Sequence, residues 1–236
     1  MKYILIFLIS LFIYLVYNRN IELFKNNNIN EQEFKKKLEI LYKIALKNTS
    51  ENLIEGNVYK SHHKNQLRKN CNKIKNLKVL AKNCKNYLEV GFNAGHSCFT
   101  ILDSNPKIKN VLIFDINSHK YTEPTFNQVK KWNKSTNFNF IKGDSTRTIP
   151  LYNVDKKFDL IHIDGGHSFQ IAKQDIINCK KFATNNHLLI IDDCNNKNTN
   201  KCLKGAVKYC IDNKIIKILD LPSDLEQGDH VLAKYI

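Results

Sequence analysis

A chain of 236 residues with 42% hydrophobic and 25% charged side chains can hold one sizeable domain and a short appendage, which excludes a disordered or fibrous protein. Seven cysteines, at positions 71, 84, 98, 179, 194, 202 and 210, are odd in number and lack a CxxC pair, so they argue against a disulfide framework or zinc site and for reduced thiols. The net charge of +15 is uneven: residues 1–85 carry 17 Lys/Arg against 6 Asp/Glu, residues 86–236 only 20 against 16.

Residues 3–17 read YILIFLISLFIYLVY, fifteen positions without a charge. As a helix they rise about 22 Å against a hydrocarbon core of about 30 Å, and snorkelling Lys2 and Arg19 with interfacial Tyr3, Tyr14 and Tyr17 lengthen the reach. No small-x-small cleavage site follows in YNRNIELF, so residues 1–18 are expected to be an uncleaved transmembrane anchor. The downstream Lys35-Lys36-Lys37 cluster orients a single-pass protein with its C-terminal domain in the cytosol. Residues 19–57 read as a linker and an amphipathic helix, with Phe34, Leu38, Leu41, Tyr42 and Ala45 at helical spacing. A second helix is expected over about 61–82. Between Lys60 and Lys85 there are nine Lys/Arg and no acid, a pattern that suits an anionic membrane surface, nucleic acid or a solvated helix face.

From Asn86 the pattern changes. Apolar runs Tyr87–Val90, Val111–Phe114, Phe138–Ile141, Leu160–Ile163 and Leu188–Ile191 alternate with longer helical stretches, which predicts a parallel, doubly wound sheet. Ile215–Leu219 and His230–Ile236 are separated by a loop without a helix and predict an antiparallel pair closing a seven-stranded sheet. Ligands of such sheets bind beyond the C-terminal strand ends, at the residues that follow each run.

The first run leads into Glu89-Val90-Gly91-Phe92-Asn93-Ala94-Gly95-His96-Ser97, where Gly91 and Gly95 permit a tight turn and close approach of a ligand to the backbone. The second ends in Asp115, 24 positions after Gly91, where a carboxylate can accept from both ribose hydroxyls. The third ends in Lys142-Gly143-Asp144-Ser145. These residues resemble the class I S-adenosylmethionine-dependent methyltransferases, whose first motif runs acidic-x-Gly-x-x-x-Gly; here Asn93 replaces a common central Gly. The resemblance implies a Rossmann-like fold over residues 58–236 with S-adenosylmethionine as cofactor. Glu89 would orient the cofactor's amino group, the Gly91–Ser97 loop, Phe92 included, would enclose its amino-acid moiety, Asp115 would hold the ribose, and Asp144-Ser145 would lie beside the adenine. NAD fits less well, because the pyrophosphate fingerprint needs Gly where Asn93 stands and Glu89 would repel phosphate.

The fourth run gives His162-Ile163-Asp164-Gly165-Gly166-His167-Ser168 and the fifth Ile190-Ile191-Asp192-Asp193. They resemble the metal-dependent O-methyltransferases, such as the catechol and caffeoyl-CoA enzymes. In those the fourth strand ends in a metal-binding Asp with a basic residue three positions on, and the fifth ends in Asp-Asn. The resemblance implies Asp164, Asp192 and Asp193 as ligands of magnesium or manganese and His167 as the base, with His167 in place of the family's Lys and Asp193 in place of its Asn. A carboxylate-held cation would lower a hydroxyl's pKa, and His167 titrates near neutrality. The Asp-Gly-Gly-His-Ser stretch also resembles a broader methyltransferase group that need not use metal. His162, flanked by Ile161 and Ile163, is expected to face a helix within the strand. The reading is thus a membrane-anchored methyltransferase acting on a hydroxyl of a small molecule or sugar. The alternatives are a nucleic-acid methyltransferase gripping phosphates with residues 60–85 and a membrane-tethered cofactor-binding protein without catalysis. Oligomeric state is not legible.

Overall fold

Apolar strands without room for water on either face must be covered by helices on both, and the chain from Asn86 onward obeys this. The computed structural model describes residues 30–49, 64–153, 155–194 and 201–236. Strands β1 (Asn86–Val90), β2 (Asn110–Asp115), β3 (Asn137–Lys142), β4 (Phe158–Ile163), β5 (Ala183–Ile191), β6 (Ile216–Ile218) and β7 (Val231–Tyr235) form one sheet in the order β3-β2-β1-β4-β5-β7-β6. The first five are parallel; β7 runs antiparallel between β5 and β6. This is the expected five-strand parallel sheet with its antiparallel closure, and β7 inserts beside β5.

The central strand β1 is buried from Tyr87 to Val90, whereas β3, at the sheet edge, carries exposed and half-buried residues and reads NFNFIK. Its Phe138 and Phe140 pack against Phe126 of the helix between β2 and β3, with ring centroids 5.8 and 4.6 Å apart. Leu88, Val90, Phe114, Ile161, Ile163, Ile176, Phe182 and Ile191 belong to the main core. The helices are α1 (30–47), α2 (Lys64–Leu80), α3 (His96–Ser104), α4 (Thr122–Trp132), α5 (Ser145–Leu151), α6 (Phe169–Cys179) and α7 (Lys201–Asp212). Two begin with side-chain caps that satisfy an orphan N–H: Asp144 accepts from Thr146 N before α5, and Ser168 from Ile171 N before α6.

Residues Leu41–Ile236 form one compact unit and Met1–Ile40 another. In the latter the described part is the first half of α1, braced by i,i+4 pairs Glu31–Lys35 and Glu33–Lys37. The expectation of a transmembrane helix needs correction. Residues 1–18, where it was placed, lie outside the described residues, and no described helix is long and apolar enough to cross a membrane. The described residues hold the seven-stranded sheet with its helices and no membrane span, and the expected single-pass location with a cytosolic domain has no support from them. Among the described residues Cys84, Cys98, Cys179, Cys194 and Cys210 are free and buried.

Candidate active site

Strand order reverses between β1 and β4, and the crevice opens at their C-terminal ends. Past those ends the ladder continues for one residue: Gly91 N donates to Phe114 O at 2.8 Å, Asp164 N to Val90 O at 2.8 Å, and Asp192 N to Ile163 O at 2.9 Å. Three motifs distant in sequence thereby stand in a row. Gly91 has φ +89°, and a Cβ there would lie 2.0 Å from the carbonyl oxygen of Asp164, so only glycine lets the β1 and β4 ends close up. Gly95, at φ +78°, caps α3, and its N–H donates to Phe92 O at 2.8 Å. Asn93 also adopts a left-handed conformation, φ 50°, which asparagine tolerates better than most residues; this explains why it can stand where the family often has glycine.

Asp115 is tied to this loop. Its Oδ2 accepts from Phe92 N at 2.7 Å and Asn93 N at 2.9 Å, and its Oδ1 accepts from Asn117 N at 2.6 Å. The carboxylate expected to meet a ribose thus also clamps the glycine turn to β2. Asp144 Oδ1 accepts from the amide and hydroxyl of Thr146, and these bonds hold its carboxyl below the usual range.

A cavity of about 530 Å³ lies over these strand ends, a size that suits a small-molecule cofactor. Of the residues singled out in the sequence, Gly91, Phe92, Asn93, Ser97, Asp115, Asp144, Ser145, Asp164, His167 and Asp193 line it. Gly95 does not line it. Glu89 and Asp192 are buried below it, 0% and 2% exposed, and do not line it.

What Glu89 and Asp192 face is a buried row of charges. His162 lies between them, Nδ1 3.4 Å from Glu89 Oε1 and Nε2 3.4 Å from Asp192 Oδ2, with the Tyr87 hydroxyl 3.3 Å from Nδ1. Burial acts to lower the His162 pKa, but Asp192 and Glu89 outweigh it and raise it to about 9. On the other side of Asp192 stands Lys73 of α2. Its ammonium pairs with Asp192 Oδ2 and lies 3.1 Å from Asp164 Oδ2. Burial works against that charge, yet Asp164 and Asp192 hold the Lys73 pKa above the ordinary ammonium range. Asp192 is held well below the usual carboxylate range by Lys73 and His162, against its burial. Asp164 is pushed upward by burial and by Asp192, against the pull of Lys73. The signs alternate from Glu89 through His162, Asp192 and Lys73 to Asp164.

The three aspartates expected to share one cation are therefore divided. Asp164 and Asp192 meet on Lys73, while Asp193 turns to His167, whose Nε2 lies 3.1 Å from Asp193 Oδ2. Two sets have donor atoms within 4.8 Å of one another, a spacing compatible with a cation: Asp164–His167–Asp193, and His162–Asp164–Asp192, two of whose carboxylates already hold the Lys73 ammonium.

Sequence reasoning gave no role to Lys73 or Asp175 and expected His162 to face a helix, whereas its ring lies between Glu89 and Asp192. Lys73 was one of nine basic residues, but it stands four positions before Leu77 and eight before Ala81, on the buried stripe of its helix. His162 pairs in register with Glu89 on the adjacent strand, each two positions before the strand-end residue, Asp164 or Gly91. Asp175 of α6 lies under the cavity wall, its Oδ2 3.1 Å from where a Gly165 Cβ would be; burial pushes its carboxyl up to about 7, against a lowering contribution from the Ser145 hydroxyl. Nothing in the local sequence of α6 marks it.

No curated protein matches the sequence. Residues 88–194 match a family model described as a methyltransferase domain. Among solved structures, a SAH-bound Podospora anserina methyltransferase aligns with TM-score 0.58 and 15% identity, covering 86% of this chain and 87% of that one. A putative O-methyltransferase from Klebsiella pneumoniae gives 0.55 and 15%, covering 86% and 89%. The O-methyltransferase TomG from Streptomyces achromogenes, involved in tomaymycin synthesis and solved with SAM, gives 0.56 and 13%, covering 83% and 88%. At such identities the structures speak for the fold, and the matched motif strands speak for the chemistry. The sheet order, the glycine turn clamped by the β2 acid and the family match together mark residues 88–194 as a methyltransferase domain.

Proposed function

We propose that the domain transfers the methyl group of S-adenosylmethionine to a hydroxyl oxygen of a small molecule, with His167 taking the hydroxyl proton. The observation that carries this reading is the His167–Asp193 pair at the edge of the cofactor cavity. In-line displacement at a sulfonium methyl needs an aligned, deprotonated acceptor and no covalent intermediate. A carboxylate bonded to Nε2 fixes the imidazole's tautomer, makes the other ring nitrogen the basic one and stabilises the imidazolium once the proton arrives. Two of the similar structures, a putative O-methyltransferase and an O-methyltransferase involved in tomaymycin synthesis, support the same acceptor class. The nucleic-acid alternative needs the basic segment to face outward, yet Lys73 is turned into the acid cluster and Lys75 Nζ donates to Asp224 O at 2.7 Å.

Radiolabelled methyl transfer to a panel of hydroxyl compounds tests the reading. His167→Ala should lower turnover roughly 10²–10⁴-fold while S-adenosylhomocysteine affinity stays within about twofold. Full activity in that variant would remove His167 from the reaction.

A further inference from the structure

We infer that Lys73 is the built-in cation of the Asp164–Asp192 pair, occupying the place that a divalent ion would take, and that it positions both carboxylates beneath the cofactor cavity. The inference rests on the methyl-transfer reading for its functional meaning, but its geometry and its test do not.

Two carboxylates at adjacent strand ends repel each other when buried, and something positive must lie between them. The ammonium of Lys73 lies against Oδ2 of both, and its side chain is 13% exposed. An ion placed between those oxygens would have to displace it, since an ammonium and a dication cannot share the space. On the far side of Asp192 is His162, whose two ring nitrogens already face Glu89 Oε1 and Asp192 Oδ2. The inner donor set therefore does not fit a metal while Lys73 is present.

Lys73 is also not a side chain that strayed inward. One turn along α2, Asn76 is fully buried; its Nδ2 donates to Glu226 O at 2.8 Å and lies 3.2 Å from His230 Nε2. Lys75 Nζ donates to Asp224 O. The β6–β7 connection thus fastens α2 just past position 73. Burial lowers the His230 pKa to about 4, so the ring beside Asn76 adds no positive charge. Since Lys73 does not line the cavity, it acts through Asp164, which does. It is a positioning residue.

The test uses the full chain with manganese alone as probe. Wild-type protein should show no change of melting temperature with chelator or with millimolar Mn²⁺, and no bound-manganese signal by electron paramagnetic resonance that depends on Asp192. Lys73→Ala should acquire such a signal, lost again in Lys73→Ala/Asp192→Asn. A role in packing alone predicts no such gain. Where Lys73→Ala does not fold, Lys73→Met and Lys73→Met/Asp192→Asn provide the second measurement. The single variant should melt about 10 °C lower, and the double should recover most of that loss because it removes the uncompensated charge. A wild-type manganese signal abolished by Asp192→Asn would overturn the inference, as would Lys73→Ala or Lys73→Met that melts like wild type and gains no metal. Neither readout measures methyl transfer, so the absence of turnover on any acceptor leaves the result intact.

Discussion

Replacing Asp115 by Asn tests the loop-anchoring role that the structure gives this carboxylate beside the ribose-binding role expected of it. In the apo protein Oδ2 holds the amides of Phe92 and Asn93, and Oδ1 holds that of Asn117. An asparagine keeps one accepting oxygen and presents an NH₂ group to whichever side the other oxygen served, so at least one amide loses its acceptor and the rest lose a charged one. Hydrogen bonds to a charged acceptor contribute about 1.5–3 kcal/mol each and neutral ones about 0.5–1.5. Of the three, the Phe92 bond is fully buried and the others are partly so, which sets the expected loss at about 2–4 kcal/mol. The unfolding midpoint in urea should fall in the absence of any cofactor, with the m-value unchanged. Calorimetry should show S-adenosylhomocysteine binding at least tenfold weaker, since the glycine turn is loosened and a ribose acceptor is lost together. An unchanged apo midpoint with weakened binding would mean that Asp115 serves the ligand alone and does not anchor the loop. The reasoning from the three amide bonds would then be refuted.

Gly91→Ala should abolish S-adenosylhomocysteine binding, because its Cβ, 2.0 Å from Asp164 O, must force the β1 and β4 ends apart; wild-type affinity by calorimetry would contradict this. Asp175→Asn tests burial at the cavity wall. With a pKa near 3.8 unfolded and about 7 folded, Asp175 costs the native state stability as pH rises through that window, up to an order of 4 kcal/mol above pH 7. The variant's stability relative to wild type should therefore rise between pH 4 and pH 7 and level off above; a constant difference across that range in urea titrations would rule it out. His162 runs the other way from an acid held low. Its folded pKa of about 9 exceeds the unfolded 6.5, so its stabilisation is complete below pH 6.5 and lost as pH rises through 9. His162→Gln should flatten the decline in stability between pH 6.5 and 9, and an undiminished decline would place the titration elsewhere.

The sheet was legible because parallel strands covered on both faces write continuous apolar runs. The runs that close at Val90, Phe114 and Ile163 end within a residue of β1, β2 and β4. The strand β5 begins five residues before its apolar run, at Ala183, because Asn185 and Asn186 lie exposed at the start of the strand, where no apolar side chain is needed. The cavity-lining residues were legible for a related reason: strand ends are the only places in such a sheet where glycines and acids cluster. The buried row of charges was not. A histidine between two isoleucines looks like packing until the register of β1 against β4 sets it beside Glu89, and register is not written in either strand alone. Lys73 was hidden by abundance, since eight other basic residues surround it between Lys60 and Lys85 and only the helical stripe through Leu77 and Ala81 distinguishes it.

Asp164 shows why the cofactor turn and the acid cluster must be considered as one structure. Its backbone carbonyl occupies the space that a side chain on Gly91 would fill, and its N–H donates to Val90 O, so the first motif and the fourth strand are in contact through main chain. Its carboxylate leaves that contact in the direction of Lys73, which also holds Asp192. Asp192 in turn meets His162, and His162 meets Glu89, which stands two residues before Gly91 on the first strand. The contacts therefore close into a ring that begins and ends on β1. Each charge in it has an opposite charge on at least one side, and low local dielectric makes removal of any one costly to its neighbours. A loop of this kind holds Asp164 in the cavity wall at a set distance from the glycine turn. Preorganisation of that sort is what an in-line transfer requires, because the acceptor oxygen and the methyl carbon must be aligned before the bond can move.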